Sequence, residues 1–292
     1  MNLANKFIIG LAQSDPDYGI NTKGKFKQVF NLATENGYRF FDTAANYKNS
    51  HLYLRSISGL TKTKIISKLS FDDEFNKNFK KKIKLKILEI LKKNKLKKIY
   101  GLLIHDPLLP LNENKWPIIY KELINFKKKG IIKKIGISVY NRFELDQILD
   151  VFKPDIVQFP LNVFNQSFND KNYLRKLKKK KIELHARSIF LQGILLKNYK
   201  NYQSFFKWKE NFIAWNNFLK INKLSSLNAC LRFVLQNKLI DKFVIGLNNK
   251  NHFNDFIFEL ARLKKNNKKK YDFSALDSND EILKDSRYWN QN

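Results

Sequence analysis

Residues 64–105 read KIISKLSFDDEFNKNFKKKIKLKILEILKKNKLKKIYGLLIH, and the order of patterns in that stretch decides the fold. It opens on a short apolar run with β-branched residues, 64–69, and closes on another, 99–105. Between them Ile83, Ile87, Leu88 and Leu91 recur at helical spacing. Strand, helix and strand in that order make a βαβ unit with parallel strands. Parallel strands are buried on both faces, which explains near-continuous apolar text such as GLLI at 101–104 and DIVQF at 155–159.

The alternation runs the length of the chain. Further strand-like runs lie at 7–13, 38–43, 134–139, 155–160, 182–190 and 242–247, making eight in all. Phe253, Phe256, Ile257 and Leu260 give the helical spacing again after the last of them. Gly37, Gly130 and Pro154 punctuate the approaches to the second, fifth and sixth strands. Eight strand–helix units in 292 residues predict a (β/α)8 TIM barrel as a single domain over 1–292. An open doubly wound sheet is the competing fold, but no G-x-G-x-x-G follows an early strand. Residues 194–237 exceed one helix and are predicted to hold an extra loop and helix. Residues 271–292, with Trp289, read as an irregular polar tail.

Composition excludes several function classes. With 43% hydrophobic and 14% aromatic residues the chain can bury a sizeable core and is not a disordered protein. No apolar stretch approaches the roughly 20 residues that span a bilayer, so no membrane insertion is predicted. The opening MNLANKFIIGLAQ is too short in its apolar run for a secretory signal. A lone Cys230 makes neither an internal disulfide nor a thiolate metal site, and a cytoplasmic location is predicted. His51, His105, His185 and His252 show no H-x-H or H-E-x-x-H spacing, so no metal is predicted.

The formal charge of +30 points at first to nucleic acid. Only eight of the 56 basic residues are Arg, however, and base readout and phosphate forks favour Arg. The Lys runs 80–82, 127–129, 178–181 and 268–270 lie on or beside amphipathic segments and read as solvated helix faces. The excess of Lys, with 35 Asn, resembles the codon bias of an AT-rich genome. No specific nucleic-acid partner is predicted.

In such barrels the chemistry gathers where strands end and βα loops begin. Those positions hold Asp42 and Tyr47 after strand two, Lys68 after strand three and His105 after strand four. Ser138 and Gln158 follow on strands five and six. Each has a plain structural role open to it: Asp42 as a turn residue, Tyr47 as packing, Lys68 as one more lysine, His105 as a satisfied core histidine. Their placement at three successive strand ends suggests a joint task. Tyr is a poor acid at neutral pH, with a reference pKa near ~10. A nearby Lys favours the phenolate, and Asp42 can hold that Lys charged and in place. His105 can orient a substrate oxygen. The set can protonate a carbonyl oxygen, but no side chain delivers hydride, so a cofactor must.

At this point the text resembles the aldo-keto reductase family. GYRFFDTAANYKNSHLYL at 37–54 is similar to the segment in which Asp-Thr-Ala precedes the catalytic Tyr. SKLS at 67–70 resembles the segment with the family's Lys, and LLIHDP at 102–107 its strand-four histidine motif. GIIKKIGISVY, IVQFPLNVFNQ, HARSIFLQGILL and KFVIGLNN resemble the segments of strands five to eight, in order, so the likeness runs from Gly10 to about Leu260. The resemblance implies an NAD(P)H-dependent reductase of an aldehyde, ketone or sugar carbonyl. It implies Tyr47 as general acid, Lys68 lowering its pKa, Asp42 pairing with Lys68 and His105 orienting the carbonyl. Ser138 and Gln158 match positions that hold the nicotinamide carboxamide. Ser188, Gly246, Asn248 and Asn249 match positions that meet the cofactor's phosphates and adenosine side.

Departures from the family pattern carry information. Ser138-Val139 stands where the family often has Ser-Asn, and Arg187 stands where an aromatic residue often stacks on the nicotinamide. His252, with Lys250 nearby, takes the place of the Arg that often reads a 2′-phosphate, so NADP(H) is favoured modestly over NAD(H). Too few residues precede strand one for the hairpin that closes the barrel bottom in many relatives.

The expected partner is a small-molecule carbonyl substrate. Candidates for its pocket wall are Tyr18, Trp289, Phe205, Phe206 and Trp208. The stretch 10–25, GLAQSDPDYGINTKGK, resembles a subgroup associated with bacterial surface-sugar pathways, which adds a sugar or nucleotide sugar to the candidates. Two other functions compete: a nucleotide-binding regulatory or sensor barrel without turnover, and a Schiff-base aldolase using Lys68.

Overall fold

Eight parallel strands close into a barrel in chain order, each hydrogen-bonded to its sequence neighbours. They are β1 (Phe7–Gly10), β2 (Phe40–Asp42), β3 (Lys64–Leu69), β4 (Ile99–Ile104), β5 (Ile132–Ser138), β6 (Ile156–Pro160), β7 (Glu183–Arg187) and β8 (Lys242–Gly246). Closure is made by β1 on β8, with Ile8 opposite Val244 and Gly10 opposite Gly246. This computed structural model describes residues 3–15, 26–57, 59–71, 78–265 and 269–289. The fold is a (β/α)8 barrel.

Helices cover the outside of the strands: α1 (Phe26–Glu35), α2 (Ser50–Arg55), α3 (Phe79–Lys93), α4 (Trp116–Lys128), α5 (Arg142–Leu149) and α6 (Lys171–Lys179). After β7 come three 3-10 segments, then α7 (Lys209–Asn222) and α8 (Ser226–Gln236). Helix α9 (Lys250–Lys265) follows β8, and the short α10 (Glu281–Lys284) lies in the tail. Helix α3 shows how the pattern works. Phe79, Ile83, Ile87, Ile90 and Leu91 are buried, while Leu88, read from the sequence as part of that face, is 48% exposed. The lysines of the runs on α3, α4 and α6 lie mostly on exposed positions, as solvated helix faces should.

Local chemistry sets the helix ends. Asn141, Asp170 and Ser225 accept backbone N–H bonds at the starts of α5, α6 and α8. Gly37 and Gly130 take positive φ just past α1 and α4, as their residue type allows. Lys95, Lys181 and Lys223 take the same left-handed turn without glycine, which no local signal announces.

Inside the barrel, Ile8, Phe40, Ile66, Leu103 and Ile156 form one buried layer, with Val244 against it. Gly101 and Gly136 make room for it. A Cβ on Gly101 would meet the Ile156 side chain, and one on Gly136 would meet the Ile156 carbonyl and Leu103. Side chains alternate along a strand with period two, so the residue two places on points inward one layer higher. That rule turns the apolar layer into a map of the site. Ile8, Phe40, Ile66, Leu103, Gly136, Ile156 and Val244 are followed at that step by Gly10, Asp42, Lys68, His105, Ser138, Gln158 and Gly246. On β7, His185 is followed likewise by Arg187.

The aromatic cluster in the long connection and the tail requires a correction. Phe205 and Trp208 are buried, and Trp289 meets Phe205 edge-on with centroids 5.0 Å apart. Trp208 Nε1 donates to Asp280 at 2.8 Å. Phe206 is 48% exposed, and none of the four lines the large cavity described below. These rings fasten the tail to the 3-10 segments, because their apolar surface is buried against one another. Tyr18, the remaining pocket-wall candidate, lies outside the described residues. No helix of the described residues is long and apolar enough to cross a membrane.

Candidate active site

A cavity of about 560 Å³ opens at the C-terminal ends of the strands. Its floor is the inward layer named above: Gly10, Asp42, Lys68, His105, Ser138, Gln158, Arg187 and Gly246, seven of them on strands and His105 directly after β4. Tyr47, Ser188 and Asn248 complete the set from the loops. Among the cofactor positions singled out in the sequence, Lys250 does not line it, and neither does Asn249. Its side chain accepts the His252 N–H at 3.0 Å and caps α9 instead.

The centre is an ion pair cut off from water. Lys68 Nζ bonds Asp42 Oδ1, with side chains only 3% and 6% exposed. The same ammonium donates to the Thr43 carbonyl at 3.1 Å. Burial pushes the Lys68 ammonium below its usual range, Asp42 pulls it back up, and Arg187 lowers it further. Lys68 Nζ stands 5.8 Å from the centroid of the Tyr47 ring. The loop carrying Tyr47 is extended from the β2–β3 ladder, with Thr43 N on Ile66 O and Ala45 N on Lys68 O. Thr43 and Ser50 hydroxyls bond at 2.9 Å and tie its two ends.

Asp42 also decides how Gln158 lies. Its Oδ2 accepts from Gln158 Nε2 at 2.9 Å. A carboxylate only accepts, so the amide nitrogen must face it and Oε1 must face away. That Oε1 is buried with no hydrogen-bond partner, as is Gln13 Oε1. Gln13 lies over Gly246, where a Cβ would collide with its amide. A buried acceptor without a donor is costly unless a ligand supplies one. A carboxamide N–H beside Ser138 would do so, and the residues present therefore fit a nicotinamide.

His105 completes the wall beside Tyr47. Its Nδ1 is 3.5 Å from the Ser70 hydroxyl. Burial, followed by the charges of Lys68 and Arg187, lowers its pKa to about 4. At neutral pH the imidazole is uncharged and can donate one N–H. The unfolded chain holds this proton up to about pH 6.5, so between about 6.5 and about 4 only the unfolded state is protonated. Stability should then fall as pH drops through that window, by up to ~3 kcal/mol from this group. Urea unfolding of wild type and His105→Asn at pH 7 and 4.5 checks it. A variant as acid-sensitive as the wild type would contradict the assignment.

The loop after β7 is strained. Ser188, Leu191 and Gln192 have φ of 57°, 45° and 53°, in the left-handed region that L-residues with side chains avoid. Such strain collects at ligand sites, where turned backbone N–H groups face an anion. Ser188, Gln192 and Gly193 all line the cavity, beside Ser226 at the start of α8. Lys197 and Asp255 lie there too: burial lowers the His252 pKa, Asp255 raises it and Lys197 lowers it again.

Comparison with known proteins shows the family. The sequence profile described as "Aldo/keto reductase family" matches residues 6–281. The chain belongs to the aldo/keto reductase family.

Among curated members, the methylglyoxal reductase DkgA of Escherichia coli O157:H7 is 31% identical over 121 residues. The K12 protein is 30% identical over 122 residues. Those matches span 40% of this chain and 42% of each relative. Two solved structures of a protein from Pseudomonas aeruginosa assigned as an aldo-keto reductase superpose with TM-scores of 0.62 and 0.63 at 15% identity. They cover 88% of this chain and 90% and 89% of theirs. Among the described residues no group of three His, Cys, Asp or Glu could hold a metal ion.

Several cavity residues carried no signal as functional positions. Tyr140 reads as ordinary strand-end text, and Lys197 is one of many lysines. Gln13 reads as the last residue of the first strand-like run.

Proposed function

We propose that this family member reduces the carbonyl of a small molecule, an aldehyde, ketone or sugar, with Tyr47 as the proton donor. The buried Asp42–Lys68 pair under the Tyr47 ring carries the reading. When bound, the nicotinamide cofactor supplies the hydride. Ser138 and the unpartnered Oε1 of Gln158 would hold its carboxamide, and the strained Ser188 loop, Gly246 and Asn248 would face its phosphates.

The chain's own residues supply the rest of the chemistry. Lys68, charged through Asp42, stabilises the phenolate left as Tyr47 gives its proton to the carbonyl oxygen. Neutral His105 donates a hydrogen bond to that same oxygen and fixes the carbonyl's direction. Water is excluded because Asp42, Lys68, Ser138 and Gln158 lie at 4% exposure or less. The hydrogen bonds of the Lys68 ammonium to Asp42 and Thr43 count against a Schiff-base role, which would dismantle that pair.

NADPH is preferred to NADH in this reading, because Lys197 offers a positive charge, and His252 a ring N–H, to an extra phosphate. The curated relatives' reaction, reduction of methylglyoxal, places small oxoaldehydes with sugars among the substrates to try. Titration of the folded protein, followed by nicotinamide fluorescence, should show micromolar or tighter binding of NADPH and weaker binding of NADH. Binding of neither would overturn the reductase reading. Tighter binding of NADH would overturn the phosphate preference alone.

A further inference from the structure

Tyr140, two residues past the β5 end, has two guanidinium groups over its ring. Arg287 from the tail lies over its ring at 3.6 Å from the centroid, and Arg187 at 4.3 Å. The two arginines differ in what balances them. Arg287 is paired with Asp285 and, at 2.9 Å, with Glu144. Arg187 donates only to neutral oxygens, the Val139 carbonyl at 3.1 Å and the Ser188 hydroxyl at 3.4 Å. Among the described residues no carboxylate pairs with it.

The other charges around the cavity floor do not compensate. Asp42 is already committed to Lys68, and His105 is neutral near pH 7. Glu183, four residues earlier on β7, is bound to Lys134, Tyr100 and His185 at the opposite mouth of the barrel. Among the described residues Arg187 is thus the cation of the inward layer without a carboxylate partner, while Arg287, on the same Tyr140 ring, has two. Arg187 is fixed by stacking and two hydrogen bonds, and its field reaches Lys68 and His105 across the cavity.

We propose that Arg187 makes this pocket discriminate between the two redox states of the nicotinamide, holding NAD(P)H more tightly than NAD(P)+. The inference rests on the reductase reading above, in which the dinucleotide occupies this cavity. A nicotinamide ring is a cation when oxidised and neutral when reduced. A guanidinium is weakly hydrated and tolerates a neutral planar ring on its face, whereas a cationic ring there meets like charge at low dielectric. An aromatic residue in the same place would attract the oxidised ring instead. The product form of the cofactor leaves readily, and the bound couple is easier to reduce than the free one.

The test is binding, separate from turnover. NADPH and NADP+ are titrated against wild type, Arg187→Met and Arg187→Gln, by calorimetry, with circular dichroism to confirm folding. Arg187→Gln keeps a donor toward the Val139 carbonyl, so one variant at least should retain the local geometry. Wild type is expected to favour NADPH roughly tenfold or more, which raises the midpoint potential of the bound couple by ~30 mV for each factor of ten. Either neutral variant should bring the two affinities to within about threefold, chiefly by tightening NADP+. Equal wild-type affinities, or a preference that survives in both neutral variants, would overturn the role of Arg187 and leave the reductase reading intact. Absence of binding by either form would overturn the reading on which the inference stands.

Discussion

Tyr47→Phe is expected to remove carbonyl reduction, by ~100- to 10,000-fold in kcat, while dinucleotide affinity stays within about twofold of wild type. The substitution keeps the ring that stands 5.8 Å from Lys68 Nζ and deletes only the proton donor. The loop should keep its shape, because it is held by backbone bonds of Thr43 and Ala45 and by the Thr43–Ser50 hydroxyl pair. Steady-state rates on a substrate that the wild type turns over well, with an NADPH titration of the variant, make the measurement. Near-normal turnover would remove Tyr47 from its role and turn attention to His105.

Lys68→Met should be as severe for turnover and damaging to stability, for separate reasons. Turnover falls because the charge that stabilises the Tyr47 phenolate is gone. Stability falls because Asp42, 4% exposed, keeps only the Gln158 amide against a buried negative charge. Breaking one side of a buried pair costs ~3–5 kcal/mol. Adding Asp42→Asn to Lys68→Met should return much of that stability, since the uncompensated charge is then removed, and none of the activity. Urea unfolding and rate measurements on the three proteins separate the effects. A Lys68→Met protein as stable as wild type would show that Asp42 is neutral when unpaired. For catalysis, Tyr47→Phe with Lys68→Met should lose far less than the product of the single losses, because both serve one proton transfer.

The barrel and the identity of its inner ring were legible in the amino-acid order. Each strand run carries, at or near its end, a residue two places beyond an inward apolar or glycine position, so period two turns Asp42, Lys68, His105, Ser138, Gln158 and Gly246 to the inner face. Helical spacing was less exact. Leu88 shares a stripe with Ile87 and Leu91 on paper but is exposed, because the covered strip on α3 runs through Ile90.

Partnerships between distant residues were decided by the tertiary structure alone. Asp42 and Gln158 are 116 residues apart, and only their meeting at 2.9 Å turns the Gln158 oxygen away from the carboxylate. Asn249 matches a cofactor position in its motif yet spends its side chain on the cap of α9. Phe205, Trp208 and Trp289 have the composition of a pocket wall, but they bury one another and secure the tail. The stacking of Arg187 and Arg287 on Tyr140 joins β7, the tail and the β5 end. Periodicity is set by neighbours along the chain, so it survives in the sequence. Which side chain answers which charge depends on the paths of loops between strands, and so only the folded chain determines it.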